Sequence, residues 1–163
     1  MKQNSKVLGN RFQQDFVKSV SENVLVERYR DAPVTFRHVD NPADFWMFNG
    51  KFITLIECKT TQEYTFALSN IRRNQLMKLL QHITYKNVFG GFLIEYRSLE
   101  KCFYVAAENF TEWFLQRDRE SIPFNWIKEH GVEIPGTKLR THFRWDINKL
   151  LEWIEVNCYN VKS

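Results

Sequence analysis

The amino-acid sequence predicts a mixed α/β domain in which a central β-sheet is flanked by helices. Two observations predict it: one helical pattern precedes three strand patterns, and a second helical pattern precedes two more. A third is the dipeptide Asn49-Gly50 between two apolar runs, the strongest short hairpin signal.

Each element follows from its residues. In 9–20, Phe12, Phe16 and Val20 recur at helical spacing with Val17 beside them, which gives one apolar helix face. Residues 24–30 are rich in β-formers and end at Asp31-Ala32-Pro33. Residues 43–48 and 51–59 form the two arms of the Asn49-Gly50 hairpin. Ser69 is a candidate N-cap for a helix reaching about residue 85, with Ile71, Leu76, Leu79, Leu80 and Ile83 as its apolar surface. The apolar run 88–96 and the segment 101–107 read as paired strands. Helices are expected near 109–119 and 146–157, separated by an irregular stretch containing Pro123, Gly131, Pro135 and Gly136.

A length of 163 residues, with 44% hydrophobic and 26% charged residues, fits a single domain spanning 1–163. Its core is expected at about 8–107, with a C-terminal helical extension at about 108–163. No apolar run is long enough to span a bilayer, and the N-terminus does not read as a secretory signal, so a cytoplasmic protein without a membrane partner is expected. Cys58, Cys102 and Cys158 are odd in number and widely spaced, which favours reduced thiols. The net charge of +4 favours an anionic partner. His38, His82, His130 and His142 lack metal-ligand spacing. Trp113, Trp126, Trp145 and Trp153 suit a core or an interface, with core packing as the default. A nucleophile elbow, a P-loop and a dinucleotide fingerprint are all absent.

The informative passage is Asn41-Pro42-Ala43-Asp44, followed after the hairpin by Ile56-Glu57-Cys58-Lys59. Positions 57 and 59 of one strand share a sheet face, and the hairpin brings Asp44 back beside residues 55–57. Asp44 and Glu57 could then share one or two Mg²⁺ ions, with the Cys58 backbone carbonyl as a further oxygen. Such a cluster suits phosphodiester hydrolysis, in which a metal orients water and offsets charge on the transition state while Lys59 binds the water and a phosphate oxygen. The Cys58 thiol should face the opposite side as a small core residue.

On these half-motifs, Pro42-Ala43-Asp44 and Glu57-Cys58-Lys59, the chain resembles the PD-(D/E)xK nuclease superfamily. Over about 8–107 it resembles, more narrowly, RecU-like Holliday junction resolvases and their phage-encoded relatives. That likeness rests on Asn41-Pro42-Ala43-Asp44-Phe45, Glu57-Cys58-Lys59-Thr60-Thr61, Thr65-Phe66-Ala67-Leu68-Ser69-Asn70-Ile71, Gln75 and Gly90-Gly91-Phe92-Leu93-Ile94-Glu95-Tyr96-Arg97. The resemblance implies a restriction-endonuclease-like fold and a homodimer that binds four-way DNA junctions and makes paired nicks with Mg²⁺ or Mn²⁺. It also implies that Asp44 and Glu57 bind metal, that Lys59 acts at the water and phosphate, and that Gln75 helps position the site or the DNA. The chain departs from the family in two places. Where relatives carry an acid in a Gly-x-x-Phe-Glu pattern of the first helix, Gln13 follows Gly9-Asn10-Arg11-Phe12, and Asp15 is the candidate replacement. Only residues 31–40 are available for the projection that cellular relatives insert at the junction centre; Arg37 and His38 could still touch DNA, or form a solvated basic turn.

Arg72 and Arg73 open the helix after the site strand, where phosphate contacts would be useful, although ordinary surface arginines fit equally. Lys138, Arg140, His142 and Arg144 alternate with Leu139, Phe143 and Trp145; as a strand they would present a basic face to DNA. The alternatives are a restriction- or repair-type endonuclease of duplex DNA, and a catalytically impaired DNA-binding accessory protein of recombination.

Overall fold

The central strands are long apolar runs because they are covered on both faces, and the rest of the chain supplies that cover. The computed structural model describes residues 5–30, 41–115 and 119–162. Helix α1 (Ser5–Ser19) leads to β1 (Leu25–Arg28), β2 (Phe45–Phe48), β3 (Ile53–Thr61) and the short β4 (Thr65–Ala67). Helix α2 (Arg73–His82), β5 (Val88–Tyr96), β6 (Lys101–Ala106), α3 (Thr111–Leu115), β7 (Ser121–Pro123) and α4 (Phe124–His130) follow. The chain continues through β8 (Val132–Ile134), β9 (Gly136–Lys138), β10 (Phe143–Trp145), α5 (Ile147–Ile154), a π-helical turn (Glu155–Tyr159) and α6 (Asn160–Lys162).

Six strands form one mixed sheet in the order β1-β2-β3-β5-β6-β8. Among the described residues only β3 and β5 pair in parallel, and α2 is carried on the crossover that such pairing requires. On one face α1, β10 and α5 cover Ile56, Cys58, Leu93 and Tyr104; on the other α2, α3 and α4 cover Leu55, Phe92, Ile94 and Tyr96. Trp145 and Trp153 pack with the first cluster, and Trp113 and Trp126 with the second. The three cysteines are free thiols.

The β2–β3 hairpin forms where Asn49-Gly50 predicts it. The Asn49 side chain accepts from the amides of Lys51 (3.0 Å) and Phe52 (3.1 Å), and Gly50 takes φ +91°, a left-handed conformation that glycine adopts without steric cost.

The structure differs from the sequence expectation in three elements. Ser69 is not an N-cap: residues Leu68–Asn70 form a 3₁₀ turn, and α2 starts at Arg73, with Arg72 in extended conformation before it. Ile71 and Arg72, which follow that turn, are both extended, and this delays the helix. The stretch 138–144 is a hairpin, not one strand. Leu139 N donates to His142 O (2.7 Å), and Lys138 pairs with Phe143 while Arg144 pairs with Thr137, so Lys138 and Arg144 lie on opposite faces. The C-terminal part is not only helical, because β8 extends the main sheet by pairing with β6.

Helix α2 lies close to the sheet because Gly90 leaves room for it. A Cβ there would stand 2.7 Å from Leu79 Cδ1 and 3.2 Å from Ile83 Cγ2, both on the underside of this segment. Gly90→Val is expected to lower stability by about 1–3 kcal/mol through overpacking. Urea denaturation checks this, and an unchanged midpoint would contradict the close seating of α2.

Candidate active site

Asp44 is placed by its neighbours on both sides. Asn41 Nδ2 donates to the carbonyl of Arg30 (3.0 Å), Ala43 is buried, and Tyr29 N donates to the Asp44 carbonyl (2.9 Å), so the segment entering β2 is fastened to the end of β1. The register Phe45↔Ile56 then sets Asp44 opposite Glu57. Its Oδ2 accepts from Cys58 N at 2.9 Å.

On β3, Glu57 and Lys59 share a face, as period-two alternation requires. Glu57 is 3% exposed, and its Oε1 lies 2.8 Å from Lys59 Nζ. Helix α2 completes the cluster through Gln75, whose Oε1 accepts from Lys59 Nζ at 3.4 Å and whose side chain is close enough to Glu57 to act against its raised pKa. The Cys58 thiol sits in the core of the opposite face.

A further member was not assigned from sequence. Gln13 of α1 reaches the Asp44 carboxylate closely enough to act against its raised pKa, so a neutral amide stands in the slot where an acid was expected. The Gly9-x-x-Phe12 spacing was the signal that marks this slot. Asp15, the suggested replacement, does not join Asp44 and Glu57. It lies two residues on, about 200° around the helix. It is 2% exposed, and its oxygens meet His142 Nδ1 (3.0 Å) and Phe143 N (3.1 Å).

The electrostatics are those of two carboxylates brought together out of water. Burial raises the Glu57 carboxyl above its ordinary pKa and the charge of Asp44 adds to this, while Lys59 and Gln75 act against it. Burial also raises Asp44, opposed by the Cys58 amide, Lys59, Arg28 and Gln13. Two buried oxygens here, Glu57 Oε2 and Gln13 Oε1, have no hydrogen-bond partner among the described residues. Unpartnered oxygens beside two carboxylates suit a hard divalent cation. The set contains only two acids, and no group of three or more His, Cys, Asp and Glu among the described residues is arranged to hold a metal.

The expected DNA contacts fall into separate places. Arg72 and Arg73 are exposed at the start of α2, within a turn of Gln75, so they flank the site. Lys138, Arg140 and His142 line a cavity of about 270 Å³ with Asp15, Glu95 and Arg97. Glu95 and its partner Thr60 (2.9 Å) occupy the sheet face opposite Glu57 and Lys59. Lys138 is ion-paired with Glu100, and Arg144 bonds the Phe143 carbonyl at 3.4 Å. Arg37 and His38 lie outside the described residues.

A carboxyl whose folded pKa is raised contributes stability that is complete below its unfolded value and is lost as pH rises through the folded one. Without metal, the protein should therefore lose stability as pH rises from about 4 towards neutrality, relative to Asp44→Asn. At neutral pH, Mn²⁺ should raise the melting temperature of the native protein and leave that of Asp44→Asn unchanged. Calorimetry in both conditions checks this, and equal responses would contradict the site.

Comparison with known proteins follows the same lines. The chain is 25% identical over 125 residues to the SPbeta prophage-derived uncharacterized protein YotM of Bacillus subtilis, covering 68% of this chain and 64% of that protein. It is 26% identical over 135 residues to the Holliday junction resolvase RecU of Staphylococcus carnosus, covering 80% of this chain and 62% of that protein. The chain thus spans less than two thirds of the length of these relatives. Among solved structures, it superposes with a TM-score of 0.57 on Hjc, a Holliday junction resolvase of Archaeoglobus fulgidus, at 15% identity over 77% of this chain and 95% of that one. This likeness shows a shared fold, the restriction-endonuclease-like arrangement of a mixed sheet flanked by helices. The model of the family described as "RecU: Recombination protein U" matches residues 37–149, more than half of the chain, and the chain therefore belongs to the RecU family.

Proposed function

We propose that this chain is a metal-dependent endodeoxyribonuclease that binds four-way DNA junctions and resolves them by paired nicking. The observation that carries the reading is the convergence of Asp44, Glu57, Lys59 and Gln75 with two unpartnered oxygens. Asp44 and Glu57 would hold Mg²⁺ or Mn²⁺, with the Gln13 amide oxygen and the Cys58 carbonyl as further donors. The bound ion supplies Lewis-acid stabilisation of the phosphate and a water of lowered pKa.

The chain's own groups do the rest. Lys59 is held by Glu57 and Gln75, so its ammonium is aimed before DNA arrives and can donate to a phosphate oxygen or to the attacking water. Gln75 keeps Lys59 and Glu57 in register. Arg72 and Arg73, beside the site, neutralise phosphates of the bound strand. A homodimer would present two such sites, one for each of two symmetry-related strands of a junction.

One observation favours a second reading. With Gln13 in place of an acid, the site has two carboxylates to balance a divalent charge, which suits a DNA-binding accessory protein with weak or no cleavage. The two readings separate on a synthetic four-way junction and a matched linear duplex, each with Mg²⁺, Mn²⁺ or Ca²⁺. Paired nicks on the junction alone are expected with Mg²⁺ or Mn²⁺, and binding without turnover with Ca²⁺. Asp44→Asn should abolish nicking and keep junction binding, and Lys59→Ala should slow it by about 10²-fold. Binding without nicks under every metal would establish the accessory reading, and sequence-specific cutting of the duplex a restriction-type one.

A further inference from the structure

Beside the site lies an open groove of about 640 Å³ between α1 and the edge strand β1. Its helical wall is Lys6, Asn10, Gln14 and Lys18, four residues spaced by four, which align as one polar ridge. The opposite wall is β1, with Val26, Glu27 and Arg28. Gln13 and Phe45 also line it. Asp44, Glu57 and Lys59 do not line it, but Gln13 and Arg28 both act on the Asp44 charge, so the groove adjoins the Asp44 side of the candidate active site.

The lining chemistry selects the occupant. Three cations face one anion, Glu27, and the amides of Asn10, Gln13 and Gln14 stand between them as neutral donors. This is the composition of a surface that follows phosphates without reading bases. From residue 6 to residue 18 the ridge runs about 18 Å, the rise of about five steps of a DNA strand at 3.4 Å each. An added β-strand from another protein would find the edge of β1 but would have no use for a row of cations and amides. Val17, Val26 and the buried Phe45 are its apolar lining residues, too few to hold a second copy by hydrophobic contact.

The geometry points to this groove as the track for the sugar-phosphate backbone of the strand to be cut, leading it along α1 towards Asp44. The inference rests on the endonuclease reading and adds to it the path by which DNA enters.

The experiment measures junction binding by fluorescence anisotropy in Ca²⁺, at several salt concentrations, for the native chain and for the double variant Lys18→Glu, Gln14→Glu. Both side chains are exposed, so the fold should be kept, and an unchanged melting temperature checks it. A Lys128→Glu variant, on α4 against β6 and so across the sheet from β1, controls for general charge reversal. The groove variant should bind at least tenfold more weakly at low salt, and its dependence on log salt should flatten by about one unit for each phosphate that is no longer neutralised. A photoreactive residue at position 14 should cross-link to DNA. Affinity equal to that of the native chain or of the Lys128→Glu control would overturn the groove assignment, as would loss of a dimer with unchanged affinity per protomer. If the native chain neither binds nor nicks the junction, the endonuclease reading falls and this one with it. If it does both while the groove variant is unaffected, the groove alone falls.

Discussion

The β2–β3 register is the constraint on which the site depends. Pairing Phe45 with Ile56 puts Asp44 beside Glu57 and under the amide of Cys58. A shift of one residue would send Glu57 and Lys59 to the face occupied by Ile56 and Cys58 and bury them in a core of Phe16, Phe45 and Leu93. Burying those two charges among apolar side chains costs too much for that shift to occur, so the requirement that builds the core also aims the charges. The Asn49 side-chain bonds and the left-handed Gly50 hold the same register from the turn end.

The site is held under electrostatic tension. Two carboxylates lie together out of water, and burial raises both. Lys59, Arg28 and the Cys58 amide offset this in part. Glu57 Oε2 and Gln13 Oε1 are left without partners among the described residues, which a packed interior normally avoids. A divalent cation would relieve both features at once, since it balances the carboxylates and takes up the free oxygens. The neutral amide of Gln13 lowers the negative charge available to hold the ion.

Much of this was legible in the sequence, for a physical reason. The trio Asp44, Glu57 and Lys59 could be read because a strand has period two and Asn-Gly specifies a turn. Gln75 and Gln13 were harder to place, since each reaches the site from a helix whose seat on the sheet is set by tertiary packing. The sequence marks Gln13 only as a departure and offers Asp15 as the replacement acid, and only the docking of α1 shows that Gln13 meets Asp44 while Asp15 meets His142. The alternating charges of 138–144 read as one strand because the turn at 139–142 contains no glycine or proline, and its closing bond joins Leu139 to His142. Ser69 had the side chain of a cap but not the backbone, because it lies inside a 3₁₀ turn and is followed by Ile71 and Arg72 in extended conformation. The strand β8 is three residues long and is stabilised by pairing with β6, which no local pattern reveals.

The central claim is that this cluster is a divalent-cation site. Its most direct test is the anomalous difference map of a crystal of the native chain soaked in Mn²⁺. A peak in contact with both Asp44 and Glu57 is expected, with the Gln13 amide oxygen among its neighbours, and no such peak in Asp44→Asn. Manganese bound elsewhere, or an empty site in a chain that still nicks junctions, would contradict it.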